Sequence, residues 1–251
     1  MSAWLTHFLV GFYPALIAML DNGIELTWLG HSAFRIRTPK GREILVDPFL
    51  TNNPKCPASW HKPKQVDVIL VTHGHGDHLG DTVALAKAHN AQVVGIYDLT
   101  SHLETLGVQR TVGMNKGGTA TVDDIRVTMV NAFHSSSLPE GGYAGDPAGY
   151  VIHFDNDYRI YHAGDTCVFG DMRLIGELYR PDLALLPIGD HYTMGPAEAA
   201  KACELLGCRR VIPMHFGTFP VLTGTPAKLR ELTRTLPDFR LVELQPGETL
   251  T

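Results

Sequence analysis

The stretch Thr72-His73-Gly74-His75-Gly76-Asp77-His78 follows directly on the apolar run Val66-Asp67-Val68-Ile69-Leu70-Val71, and no other junction constrains the chain as much. A short apolar run that ends in turn residues reads as a buried strand, so the histidines begin where that strand stops. Three imidazoles and a carboxylate so close together would each need a partner in a hydrophobic core. Together they are the donor set that a divalent ion takes. Glycine at 74 and 76 removes side chains between the ligands and frees the backbone to wrap tightly.

The spacing adds direction. In an extended segment alternate side chains share a face, which aims His73 and His75 the same way and sends Asp77 and His78 elsewhere. That suits two adjacent ions, the first on His73 and His75, the second on Asp77 and His78. A closed structural zinc site is disfavoured because no cysteine lies nearby. A solvated polar loop is the weaker reading of so dense a motif. Further ligands are offered at other strand ends. The run Val127–Phe133 leads into His134, Tyr158–Gly164 into Asp165, and Arg210–Met214 into His215. Each of these taken alone reads as an ordinary hydrogen-bonded residue, but four strand-to-ligand junctions in one chain point to one edge of a sheet.

The pattern His-x-His-x-Asp-His followed by His134, Asp165 and His215 resembles the metallo-β-lactamase fold superfamily. So do Trp28-Leu29-Gly30-His31-Ser32, Val46-Asp47-Pro48, His162-Ala163-Gly164-Asp165-Thr166, Leu186-Pro187-Ile188-Gly189-Asp190-His191 and Pro213-Met214-His215-Phe216-Gly217-Thr218. The wording is similar to the small bacterial and archaeal metal-dependent hydrolase branch near the ascorbate-6-phosphate lactonases. The resemblance runs from about Ile24 to about Pro226 and implies an αββα sandwich: an α/β fold of two mixed β-sheets with helices on the outer faces and metals at one edge. It implies His73, His75 and His134 on one metal, Asp77, His78 and His215 on the other, and Asp165 bridging them. Some lactamases use a cysteine as second-metal ligand; here the bridging position is Asp165, with Cys167 two residues on. The iron-flavoprotein relatives carry Glu at the second histidine of the motif, where this chain has His75.

Two divalent cations, zinc first with manganese or iron as alternatives, would lower the pKa of a shared water and supply hydroxide as nucleophile. The expected activity is hydrolysis of a small ester, lactone or phosphorylated metabolite. A phosphodiesterase is the alternative enzyme, and a metal-binding regulatory protein without turnover is the alternative of another class. The candidate catalytic residues are Asp77, Asp165 and His191. Asp47, His31 and Asp190 each end an apolar run and are candidates to orient a metal-bound imidazole or to touch substrate. The run Ser135-Ser136-Ser137 reads as a loop that caps the site, since no activating base is indicated beside it.

A length of 251 residues with 44% hydrophobic and 19% charged content fits one large domain, expected over residues 23–251. A net charge of −5 gives no electrostatic footprint for nucleic acid. Cys56, Cys167, Cys203 and Cys208 form neither a CxxC pair nor a disulfide-dense pattern, which fits a reducing cytoplasm. Residues 1–22 are an apolar extension of uncertain status. The first 20 residues hold no Lys, Arg, Asp or Glu, yet they lack a basic leader and Pro14 interrupts them. The expectation is that Met19 is the true start, with a packing helix or a signal or anchor as alternatives; no stable membrane association is expected. A small-molecule substrate is the expected partner, and the resemblance suggests a homo-oligomer.

Periodicity predicts strands at Glu25–Leu29, Ala33–Ile36, Ile44–Val46, Val66–Val71, Gln92–Ile96, Ile125–Ala132, Tyr150–Phe154, Arg159–Tyr161, Leu183–Leu186, Arg210–Met214 and Leu241–Leu244. Helices are predicted at Thr82–His89, Asp98–Leu106, Asp171–Tyr179, Pro196–Leu206 and Pro226–Thr235, with Asp81, Gly107 and Gly207 as cap residues. So many early strands with hairpin connections argue against a simple Rossmann alternation.

Overall fold

In a computed structural model, which describes residue 20 and residues 22–251, the strands form two seven-stranded sheets. The expectations for residues 1–19 lie outside the described residues. The first sheet holds β1 (Glu25–Trp28), β2 (Phe34–Arg37), β3 (Glu43–Val46), β4 (Val68–Leu70), β5 (Gln92–Ile96) and β6 (Thr111–Met114) in sequence order, with β14 (Thr249–Leu250) beside β1. The second runs β13 (Arg240–Leu241), β12 (Arg210–Met214), β11 (Leu183–Pro187), β10 (Arg159–His162), β9 (Ala148–Phe154), β8 (Ile125–Asn131), β7 (Thr119–Val122). Each is mixed. In the first, β1 to β3 are antiparallel and β3 to β6 parallel. In the second, β7 to β10 are antiparallel and β10 to β13 parallel. Each half of the chain thus builds one sheet, and only β14 crosses back.

The layering follows from side-chain alternation along the strands. On β11, Leu183 and Leu185 join the core between the sheets with Ile69, Val93, Met129 and Ile152. Ala184 and Leu186 face the other way, with Met172 and Ile175 of α4 (Met172–Tyr179), Ala199 and Cys203 of α5 (Pro196–Leu206) and Leu229 of α6 (Pro226–Thr233). Leu85 of α2 (Thr82–His89) and Leu99 and Leu103 of α3 (Tyr97–Thr105) pack with the residues of the first sheet. A strand buried on both faces reads as a continuous apolar run, as β4 and β11 do. Among the described residues no helix is long and apolar enough to cross a membrane.

The differences from the sequence reading have local causes. The strand predicted at Leu241–Leu244 is realised only as β13, Arg240–Leu241. It pairs with Arg210 and Val211 of β12, and the next residue of β12 that would donate to it is Pro213, which has no N–H. Asp81 stands before α2, but its side chain does not cap the helix. Its carboxylate instead accepts from the backbone N–H groups of Leu50 and Thr51, both at 2.9 Å. Gly207, at φ 61°, does close α5.

Candidate metal centre

The motif is half strand-end and half helix. His73 leaves the end of β4, and His75 is still extended (φ −61°, ψ 146°) as the residue before a single helical turn, α1 (Gly76–Leu79). The turn swings Asp77 and His78 away from the direction of His73 and His75, which is why two pairs emerge from so short a segment. His134 lies three residues beyond β8, where the Phe133 N–H donates to Thr166 Oγ1 at 3.0 Å and ties it to the Asp165 loop. His215 directly follows β12 in a left-handed conformation (φ 55°), and its N–H donates to the His31 carbonyl at 3.0 Å. His31 (φ 56°) and Asp47 (φ 46°) are left-handed too. Non-glycine residues held there concentrate at functional sites.

All seven residues expected to bind metal converge. Ligand atoms of His73, His75 and His134 lie within 4.8 Å of one another, as do those of His31, Asp77, His78 and His215, and those of His73, His78 and Asp165. Asp165 Oδ2 is the meeting point, 3.0 Å from His215 Nε2, 3.2 Å from His78 Nε2 and 3.6 Å from His134 Nε2. Despite these distances His78 Nε2, His215 Nε2 and Asp165 Oδ1 are buried without a hydrogen-bond partner. Leaving such atoms unsatisfied costs about 1–3 kcal/mol each, and a bound cation is what satisfies them together. The donor set therefore fits a metal.

One carboxylate sets the orientation of two of the imidazoles. Asp47, fully buried, accepts from the Thr72 N–H at 2.8 Å, from Thr72 Oγ1 at 2.7 Å and from His78 Nδ1 at 2.7 Å. Because the Thr72 hydroxyl gives its proton to Asp47, it accepts from His73 Nδ1 at 3.0 Å. Both rings then hold a proton on Nδ1, which leaves Nε2 of each as the atom that would face a metal. On the other side, burial pushes His31 down to about 4 and leaves it neutral. The Asp77 carboxylate can only accept, so His31 Nε2–H donates to Asp77 Oδ2 at 3.1 Å while Nδ1 accepts from Thr218 Oγ1 at 3.0 Å. Burial is the largest single influence on Asp77 and would raise it, but the hydrogen bond from His31 together with the nearby His78 holds the carboxyl below its ordinary range. Burial likewise opposes ionisation of Asp165 and charge on His78. Neighbouring His215 and His78 keep Asp165 low, and Asp165 with Asp47 raises His78.

Asp190 and His191 are not brought to this cluster. Two consecutive left-handed residues, φ 68° and 62°, turn the loop outward after β11, and both side chains are exposed. The Asp190 carboxylate accepts from the His191 N–H at 2.8 Å. From that loop it is Tyr192 that lines the cleft over the candidate ligands, together with Ser135, Phe219 and Val221, around a cavity of about 450 Å³. Ser136 takes the capping role, its Oγ accepting from the Gly74 N–H at 3.2 Å. Thr72, Thr218 and the cleft residues Tyr192, Phe219 and Val221 were not assigned from sequence. Thr72 and Thr218 stand in the motifs themselves, but membership of a motif does not show which group each hydroxyl meets.

A family model for the beta-lactamase superfamily domain matches residues 42–216. A UPF0173 metal-dependent hydrolase of Koribacter versatilis is 52% identical over 231 residues, covering 91% of this chain and 98% of that protein. One of Rubrobacter xylanophilus is 49% identical over 240 residues, covering 94% and 99%. Igni18, a metallo hydrolase from the archaeon Ignicoccus hospitalis, superposes with a TM-score of 0.81 at 34% identity over 90% of this chain and 97% of its own. The chain belongs to the metallo-β-lactamase superfamily and, within it, to the UPF0173 metal-dependent hydrolases.

Proposed function

We propose that this centre holds two divalent ions and hydrolyses a small ester, lactone or phosphorylated metabolite. The observation that carries the reading is that His73, His75 and His134 form one ligand group and Asp77, His78 and His215, with His31, form another, while Asp165 Oδ2 lies within 3.6 Å of a histidine of each. Divalent ions in such a site lower the pKa of water toward neutrality and polarise the attacked oxygen. Imidazole and carboxylate donors accept zinc, manganese and iron alike, with zinc the first expectation. The chain's own part is orientation: Asp47 and Thr72 fix the rings of His73 and His78, and His31 holds Asp77 by a hydrogen bond. Ser135 is not an activated nucleophile, since its Oγ is 3.5 Å from His75 Nε2 and that ring belongs to a ligand group. Four free cysteines support a reducing cytoplasm.

The test is hydrolysis of a lactone and an aryl-ester panel by metal-loaded protein, before and after chelation and metal add-back. Turnover should vanish with the chelator, return with zinc or manganese, and fall by roughly a hundredfold or more in Asp165→Ala. Asp165→Ala retaining both metals and a near wild-type rate would remove Asp165 from the bridging role.

A further inference from the structure

The ligand groups account for the floor of the cleft, and its walls carry separate information. Beyond the metal ligands the cavity is lined by Ser135, Tyr192, Phe219 and Val221. Tyr192 is 57% exposed and Val221 42% exposed, large for apolar surface facing water at the mouth of a site. The half-buried Phe219 stands edge-on to the His31 ring at 5.4 Å, which brings an aromatic wall against the Asp77 side of the centre. Among the described residues no Lys or Arg lines this cavity, and residues 1–19 and 21 contain neither in sequence, so they have none to contribute.

A phosphate or carboxylate remote from the reacting bond would lie against the walls of this cleft with no Lys or Arg there to meet it. Withdrawing such a charge from water without a partner is costly. An uncharged apolar group meets two aromatic rings and a valine. Resting on the hydrolase reading above and narrowing its substrate range, we infer that the substrate of this site is an ester or lactone whose non-reacting part is uncharged and apolar, in preference to a phosphorylated metabolite.

The inference is tested by turnover and by binding on the metal-loaded protein. In turnover, kcat/KM for an alkyl- or aryl-substituted lactone should exceed that for a lactone bearing a remote phosphate by tenfold or more. In binding, calorimetric titration with benzohydroxamate and with its 4-phosphono analogue should favour the uncharged probe by a similar factor. Phe219→Ala should erode that preference. Val221→Lys, at an exposed position that the fold does not need, should raise the affinity of the phosphono probe severalfold. Equal or tighter binding of the phosphono probe to the wild-type protein, or faster turnover of the phosphorylated lactone, would overturn the inference. Preference for the uncharged probe with no turnover of any ester or lactone would instead overturn the hydrolytic reading and leave the assignment of the walls standing.

Discussion

At the scale of single residues, the centre depends on a few side chains whose second hydrogen bond decides what their first atom can do. Asp47 is the sharpest case, because one buried carboxylate receives His78 directly and His73 through Thr72. Asp47→Asn would replace one acceptor oxygen by an N–H₂ donor and leave at least one of these three protons unreceived. Metal affinity is expected to fall by about 10–100-fold, read by competition with a chromogenic chelator. Unchanged affinity would show that the two rings are oriented by other means. The candidate ligands stand out in the sequence because an ion accepts few residue types and because each follows an apolar strand. Thr72 and Thr218 were not, since their partners Asp47 and His31 lie 25 and 187 residues away and a threonine carries no local mark of such a bond. His191 was misplaced for a backbone reason. Two successive left-handed residues reverse the loop, and nothing in Asp190-His191 announces that conformation.

At the scale of elements, the strand ends of both sheets are stitched together at the metal edge. Tyr150 of β9 donates to the Val71 carbonyl at 2.7 Å, the Ala148 N–H to the Thr72 carbonyl at 3.0 Å, and His162 Nε2 to the Ser32 carbonyl at 3.0 Å. The loop after His134 packs just as closely on the motif. A Cβ at Gly74 would stand 2.3 Å from Ala144 Cβ and 3.1 Å from the Ser137 carbonyl. Gly74→Ala must therefore displace one loop or the other, and is expected to destabilise by about 1–3 kcal/mol in urea unfolding. An unchanged midpoint would mean that the packing between the two loops is slack. The buried strands and the helices of this fold could be read from periodicity. β6 and β7 could not, because each is a four-residue edge of its sheet in which only the last residue is buried, which leaves no apolar run to read.

At the scale of the molecule, the centre couples stability to pH. Burial lowers five imidazoles around the site, His31 to about 4 and His73, His75, His134 and His162 also below their ordinary value. In the unfolded chain these rings bind a proton near pH 6.5. Between about 6.5 and 4 the unfolded state then holds more protons than the folded one, so stability falls as pH falls through that window. His78 acts in the opposite sense. The carboxylates that raise it against burial give a contribution that is full below 6.5 and is lost as pH rises, so below 6.5 it is constant and leaves the decline from the other five rings unopposed. Ligand imidazoles must also be deprotonated to hold metal. Thermal melts and bound metal measured from pH 7 to pH 5 should therefore decline together. A melting temperature that stays level or rises over that range would contradict this balance.

The most direct test of the central claim is metal content per chain, measured by elemental mass spectrometry on protein purified without added metal and without a chelating affinity tag. The two ligand groups joined at Asp165 predict about two equivalents of divalent ion. Well under one equivalent, not restored by zinc or manganese, would contradict the paired-ion centre and the hydrolytic reading built on it.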